Sequence, residues 1–191
     1  MVVDFRRKTT APRPLSVLGV DVDMVEEYKY LGVSIDSRLN WKANINAAYK
    51  KGMSRFFFLR KLRSFNVCSK MLELFYQSVV ASVLYFSIVC WGSSIGAGDT
   101  NRLNKLVKKA GSIIGCKQEH LEQVVERRTL KKLLSILDHP HHPLHQLLQG
   151  QRSTFSKRLI TLRCHKDRYR KAFLPTAIRL YNKSLESRSG D

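Results

Sequence analysis

The chain has 191 residues, 43% of them hydrophobic, and thirty-four Lys and Arg against fifteen Asp and Glu, for a formal net charge of +19. That hydrophobic share supplies a real core and excludes wholesale disorder, and the length suits one domain or a domain with an appendage. The charge exceeds what solubility requires and points to a polyanion whose condensed counterions are released on binding, with an anionic membrane surface as the competitor.

Residues 1–37 read as β. Val2-Val3-Asp4-Phe5 predicts a short strand, and Lys8 to Pro14 a loop in which two prolines bar ladder hydrogen bonds. Leu15 to Leu18 and Val20 to Val22 alternate around Gly19, as a tight hairpin would. Tyr28 to Ile35 alternates again, with Tyr28, Tyr30 and the Gly32 backbone expected on one face and Leu31, Val33 and Ile35 on the other. The apolar face needs a cover, because a lone hairpin is marginal in water.

From Asn40, the expected N-cap, the pattern is helical. Trp41, Ile45, Ala48, Gly52, Phe56, Leu59 and Leu62 recur at steps of three and four, and Lys42, Lys50, Lys51, Arg55, Arg60, Lys61 and Arg63 occupy much of the rest. Ser69 is expected to cap a second helix running to about Cys90. Met71 to Trp91 holds one charge, Glu73, yet its polar residues and basic flanks favour a core helix over a membrane span. The glycines from Gly92 to Gly98 predict a flexible interhelix loop.

Asp99 or Thr100 would cap a third helix, with Leu103, Leu106, Val107, Ala110, Ile113 and Ile114 inward and Gly115 as its stop. Leu121 to Leu137 predicts a fourth, with a break near Thr129, and Pro143 opens a short helix to Leu148. Gln151 to Arg170 reads as an extended basic arm, Ala172 to Leu180 as a short docking helix with Pro175 in its middle, and the remainder as a polar tail. The fold class is therefore α+β, mainly α: a small antiparallel element at 1–37, a helical bundle at 40–149, and an arm at 150–191 docking back through Phe173, Ile178 and Tyr181.

The chemistry-bearing residues form no catalytic set. Two-metal polymerase chemistry needs converging carboxylates, and there is no Asp-Asp pair; Asp21 and Asp23 sit on a hairpin tip. His165-Lys166-Asp167 gives half of an iron triad, with no later histidine. His139, His141, His142 and His145 lack the spacing of a zinc site and read as a loop joining helices. Cys68, Cys90, Cys116 and Cys164 stand singly and read as buried or incidental thiols; without a secretory h-region after Met1, an intracellular, reducing compartment is expected. No catalytic residue, metal or cofactor is expected, and no membrane.

Cations interleaved with aromatics remain. Lys50, Lys51, Arg55 to Phe58, Arg60, Lys61 and Arg63 combine phosphate contact with stacking surface. Arg152, Lys157, Arg158, Arg163, Lys166, Arg168, Arg170 and Lys171 make the arm a second candidate surface. The expected partner is an RNA or DNA primer–template.

Val2 to Arg7, Tyr28 to Asp36 and Leu39-Asn40-Trp41 resemble the end of the palm of LINE-type non-LTR retrotransposon reverse transcriptases, and Phe173 to Asn182 resembles the closing segment of jockey- and Rex-like elements. The resemblance implies a primer-grip hairpin at Tyr30, Leu31 and Gly32, a helical thumb after it, and metal-binding aspartates upstream of Met1, so that this chain is catalytically incomplete. The same stretch also resembles the N-terminal segment of AlkB-homologue tRNA methyltransferases. That likeness implies a methyltransferase or a 2-oxoglutarate-dependent dioxygenase, chemistries for which the residues here provide no site.

Overall fold

The computed structural model describes residues 15–188. The strand expected at Val2–Phe5, the loop before Pro14 and the last three residues lie outside that range. The fold is mainly helical, with small antiparallel β hairpins at its N-terminal end, as the patterning predicted.

Strands β1 (Ser16–Val17) and β2 (Val20–Asp21) pair antiparallel, as do β3 (Glu27–Tyr30) and β4 (Val33–Asp36). Both turns are Leu-Gly with positive φ at both residues: Leu18 and Gly19 at 53° and 80°, Leu31 and Gly32 at 46° and 85°. Such two-residue turns match the right-handed strand twist. The turn also corrects the faces expected from the sequence. Tyr28 pairs with Ile35 and Tyr30 with Val33, so all four share one face, and Leu31 belongs to the turn. Val33 and Ile35 pack on the helical core, while both tyrosines stay exposed.

Helix α1 (Lys42–Ser64) buries the predicted stripe from Ile45 to Leu59. Asn40 is not its cap. Trp41 holds that position at φ 63°, and the Asp36 carboxylate accepts the Arg38, Asn40 and Trp41 N–H groups at 2.9–3.1 Å. One side chain thus satisfies the irregular link between β4 and α1.

The second helix is segmented. Cys68 rather than Ser69 precedes α2 (Ser69–Phe75), which runs into a π-helical turn at Tyr76–Ala81 and then α3 (Ser82–Leu84). A break at Tyr85–Ser87 leads to α4 (Ile88–Trp91). Trp91 is buried, and its Nε1–H donates to the Phe86 carbonyl at 2.9 Å, satisfying an acceptor freed by the break. Burial raises the Tyr76 and Tyr85 phenols above their usual range, so both stay neutral in the core.

Helix α5 (Ala97–Ile114) starts two residues before the expected cap and ends at Gly115 as predicted. Helix α6 (Leu121–Asp138) is unbroken, and Thr129 is buried within it. Asn104 on α5 accepts the Leu121 N–H at 2.8 Å and donates to Glu122 at 3.0 Å, a hydrogen bond that lowers the Glu122 pKa. Helix α7 is His145–Gly150, and α8 is one turn at Asp167–Arg170. Helix α9 spans Phe173–Arg188, longer than the expected docking helix; Pro175 lies in its first turn, where a missing N–H costs nothing.

The apolar side chains divide into two clusters. The first gathers α1 to α5 with Leu121, Val124 and Val125 of α6. The second gathers Leu133 and Ile136 of α6 with Leu148, Leu159, Ala177, Ile178 and Tyr181. Helix α6 spans both, and the basic arm is anchored through Leu159 rather than extended free.

Candidate nucleic-acid interface

The β3–β4 turn sits against the side of the bundle because two contacts fix it there. The Ser34 N–H donates to Asn44 Oδ1 of α1 at 3.3 Å, and the Asp36 carboxylate ties down the strand's exit. A cleft of about 230 Å³ opens between this turn, α1 and the end of α3, lined by Gly32, Asn44, Lys51, Ser82 and Phe86 among others. Gly32 forms its tightest edge. A Cβ there would come within 3.3 Å of the Phe86 ring, and its φ of 85° disfavours any side chain.

The cleft therefore brings together two of the sequence-derived candidates, Gly32 and Lys51. Tyr30 and Leu31 precede Gly32 in the chain and are exposed, but do not line the cleft. Lys50, Arg60, Lys61 and Arg63 are exposed along α1. Arg55 is instead a tether between helices, since its Nη1 donates at 2.8 Å to the Val79 carbonyl in the π-helical turn. Phe86 was missed by the sequence reading, because it lies in an apolar run assigned whole to the core.

The charge of this face is not self-neutralised. No Asp or Glu occurs between Asp36 and Glu73, a stretch containing all the α1 cations. The residues lining the cleft include no acid. On α5, Arg102 lies 3.9 Å over the Tyr49 ring and donates to Asn46 Oδ1 at 2.6 Å, joining that helix to α1 by a cation–π contact.

Arg168, Arg170 and Lys171 lie elsewhere, on α8 and just after it. Arg170 is hydrogen-bonded to Asp167, and Lys171 reaches the same carboxylate at 3.6 Å. The Lys171 carbonyl accepts hydroxyl protons from Ser93 and Ser94 at 2.6 and 3.1 Å. The Gly92–Gly98 stretch is thus a latch for the arm rather than a slack connector. Gly92 itself is tightly packed, since a Cβ would meet Val125 Cγ2 at 2.5 Å and the Ile88 carbonyl at 2.8 Å.

Among the described residues no three His, Cys, Asp or Glu side chains group as a metal site. His139 and His145 instead place ring nitrogens 2.6 and 3.1 Å from the Ser135 and Ile136 carbonyls, closing the end of α6. His165 and Asp167 are both exposed. Of the two expectations for the cysteines, burial does not hold: Cys68, Cys90 and Cys116 are exposed and Cys164 half-buried, all free. No described helix is long and apolar enough to cross a membrane.

Residues 41–82, from Trp41 through α1 and α2 to the start of α3, match the family described as alkylated DNA repair protein alkB homolog 8, N-terminal. No curated protein and no solved structure matches the chain. The likeness to AlkB homologues is therefore supported over the helices forming one wall of the cleft, while the reverse-transcriptase resemblance gains no support.

Proposed function

We propose that the chain is a nucleic-acid-binding module that holds a sugar–phosphate backbone in the cleft between the β3–β4 turn, α1 and α3. The observation that carries this reading is the convergence of Gly32, Lys51 and Phe86 beside an acid-free helix. The bare Gly32 backbone admits close approach, Lys51 neutralises a phosphate, and the Phe86 and Tyr30 rings offer stacking faces. The role is binding rather than turnover, since the lining offers no carboxylate to hold a metal or move a proton.

The match over 41–82 favours placing this module in a segment of AlkB-homologue type, and the printed name of that family, a DNA repair protein, also points to nucleic acid. The finer alternative is a primer-grip and thumb fragment of an RNA-directed DNA polymerase, resting on Tyr30, Leu31 and Gly32 at a tight turn.

A fluorescence titration with a primer–template duplex tests the module. Log affinity should fall with log salt by about 0.7 to 0.9 for each phosphate neutralised. An affinity that barely moves between low and moderate salt sinks the reading in favour of a protein-interaction module. Primer extension with magnesium should stay at background, and iron should not bind stoichiometrically at His165 and Asp167.

A further inference from the structure

Phe155 stands at the tip of a short closed loop between α7 and α8 and is 98% exposed. The loop is not slack. Arg152 and Leu159 form a β-bridge, the Ser153 N–H donates to the Arg158 carbonyl at 2.8 Å, and the Ile160 N–H donates to the Gln151 carbonyl at 2.8 Å. Leu159 is buried in the second cluster. Asn182 of α9 grips its backbone from both sides, accepting its N–H at 3.0 Å and donating to its carbonyl at 2.8 Å. A phenyl ring is thus displayed on an anchored base, where water gives it none of the free energy that burial would.

The surroundings say what would cover it. No Asp or Glu occurs between Asp138 and Asp167. Arg152 and Lys157, on either side of Phe155 in the same loop, are exposed cations, while Arg158 is held by Glu186 at 3.1 Å. An aromatic face fringed by free cations is the chemistry that receives an unpaired nucleobase and its phosphates. A lipid surface would call for a broad apolar face, and within the loop from Gln151 to Ile160 the exposed apolar side chains are Phe155 and Ile160.

We propose that Phe155 is a stacking finger for an unpaired base, with Arg152 and Lys157 contacting the neighbouring phosphates. This rests on the reading of the chain as a nucleic-acid binder and adds a second contact point that prefers single-stranded segments.

The full chain is titrated with a blunt duplex, with the same duplex bearing a single-stranded extension, and with phosphatidylserine-containing vesicles. Phe155→Ala should weaken binding of the extended duplex about five- to a hundredfold and leave the blunt duplex unchanged. Phe155→Trp should keep the affinity, and its fluorescence should be quenched on binding; the native Trp41 and Trp91 are buried and report little of this. Full recovery by Phe155→Leu would reduce the finger to an apolar contact and overturn the stacking claim. Loss of vesicle binding alone in Phe155→Ala would overturn it in favour of a membrane contact. If the wild-type chain binds and Phe155→Ala binds equally well, only the finger fails; if the wild-type chain binds neither duplex, the nucleic-acid reading falls with it.

Discussion

Helix α1 and the segment from Arg152 to Lys171 both carry clustered cations, but of the two only the second forms ion pairs among the described residues. Among the described residues no ion pair involves an α1 cation, whereas Arg158 is paired with Glu186, and Arg170 and Lys171 with Asp167. An exposed pair contributes at most about 1 kcal/mol to stability. It nonetheless changes what a cation offers a phosphate, because the carboxylate must be given up before the counterion exchange yields a gain. The two regions differ in available charge more than in formal charge.

The comparison first requires that α1 be a rigid display. Phe56 is fully buried and its neighbour Phe57 is exposed, so the pair separates scaffold from surface. Phe56→Ala should cost about 3–5 kcal/mol and abolish cleft binding, while Phe57→Ala should shift stability by no more than about 0.5 kcal/mol. Denaturant midpoints of the two variants check this. Similar midpoints would mean that α1 does not rest on its predicted stripe. Next in size is Gly92→Ala, which forces a Cβ against Val125 and the Ile88 carbonyl. A loss of about 1–3 kcal/mol is expected, together with faster proteolysis of the arm that Ser93 and Ser94 latch. An arm equally resistant in the variant would show that the latch is not what holds it.

The stripe on α1 was legible because a 3.6-residue period survives any tertiary context, and Gly115 marked the end of α5 for the equally local reason that it tolerates φ near 90°. The faces of Tyr28 to Ile35 were misread because alternation was carried through a turn that folds the strand back on itself. The start expected for α9 at Ala172 lies one residue from the observed Phe173, but the helix runs past the expected end at Leu180 to Arg188, carrying Leu185 against the second cluster. In the site, Lys51 and Gly32 were found by charge and by turn chemistry. Phe86 and the tether role of Arg55 were not, because both depend on the π-helical turn and the break after α3, which no sequence period announces.

The direct test of the comparison is a pair of triple substitutions measured by salt-dependent titration. Lys50, Lys51 and Lys61 changed to Ala should lower the slope of log affinity against log salt by about 2 to 3. Arg55 is left in place so that its bond to Val79 is not lost. The same change at Arg168, Arg170 and Lys171 should lower the slope by less than the α1 triple does, since Arg170 and Lys171 already face Asp167. Equal losses from the two triples would erase the distinction between free and paired cations.

The smallest effect is expected from removing the acid itself, and its sign is the informative part. Asp167→Asn leaves a side chain able to occupy the first turn of α8 but without the charge that holds Arg170 and Lys171. If pairing limits the arm, the variant should bind the primer–template duplex more tightly at low salt and show a slope steeper by about 1, as freed cations begin to displace counterions. Stability should change by less than about 1 kcal/mol, because both ion pairs are exposed and screened. The mechanism predicts that the gain vanishes when Arg170 and Lys171 are also changed to Ala, since Asp167 then has nothing to release. An unchanged slope in Asp167→Asn, or a gain that survives the further substitution, would mean that the arm lies outside the nucleic-acid contact and that α1 carries the grip alone.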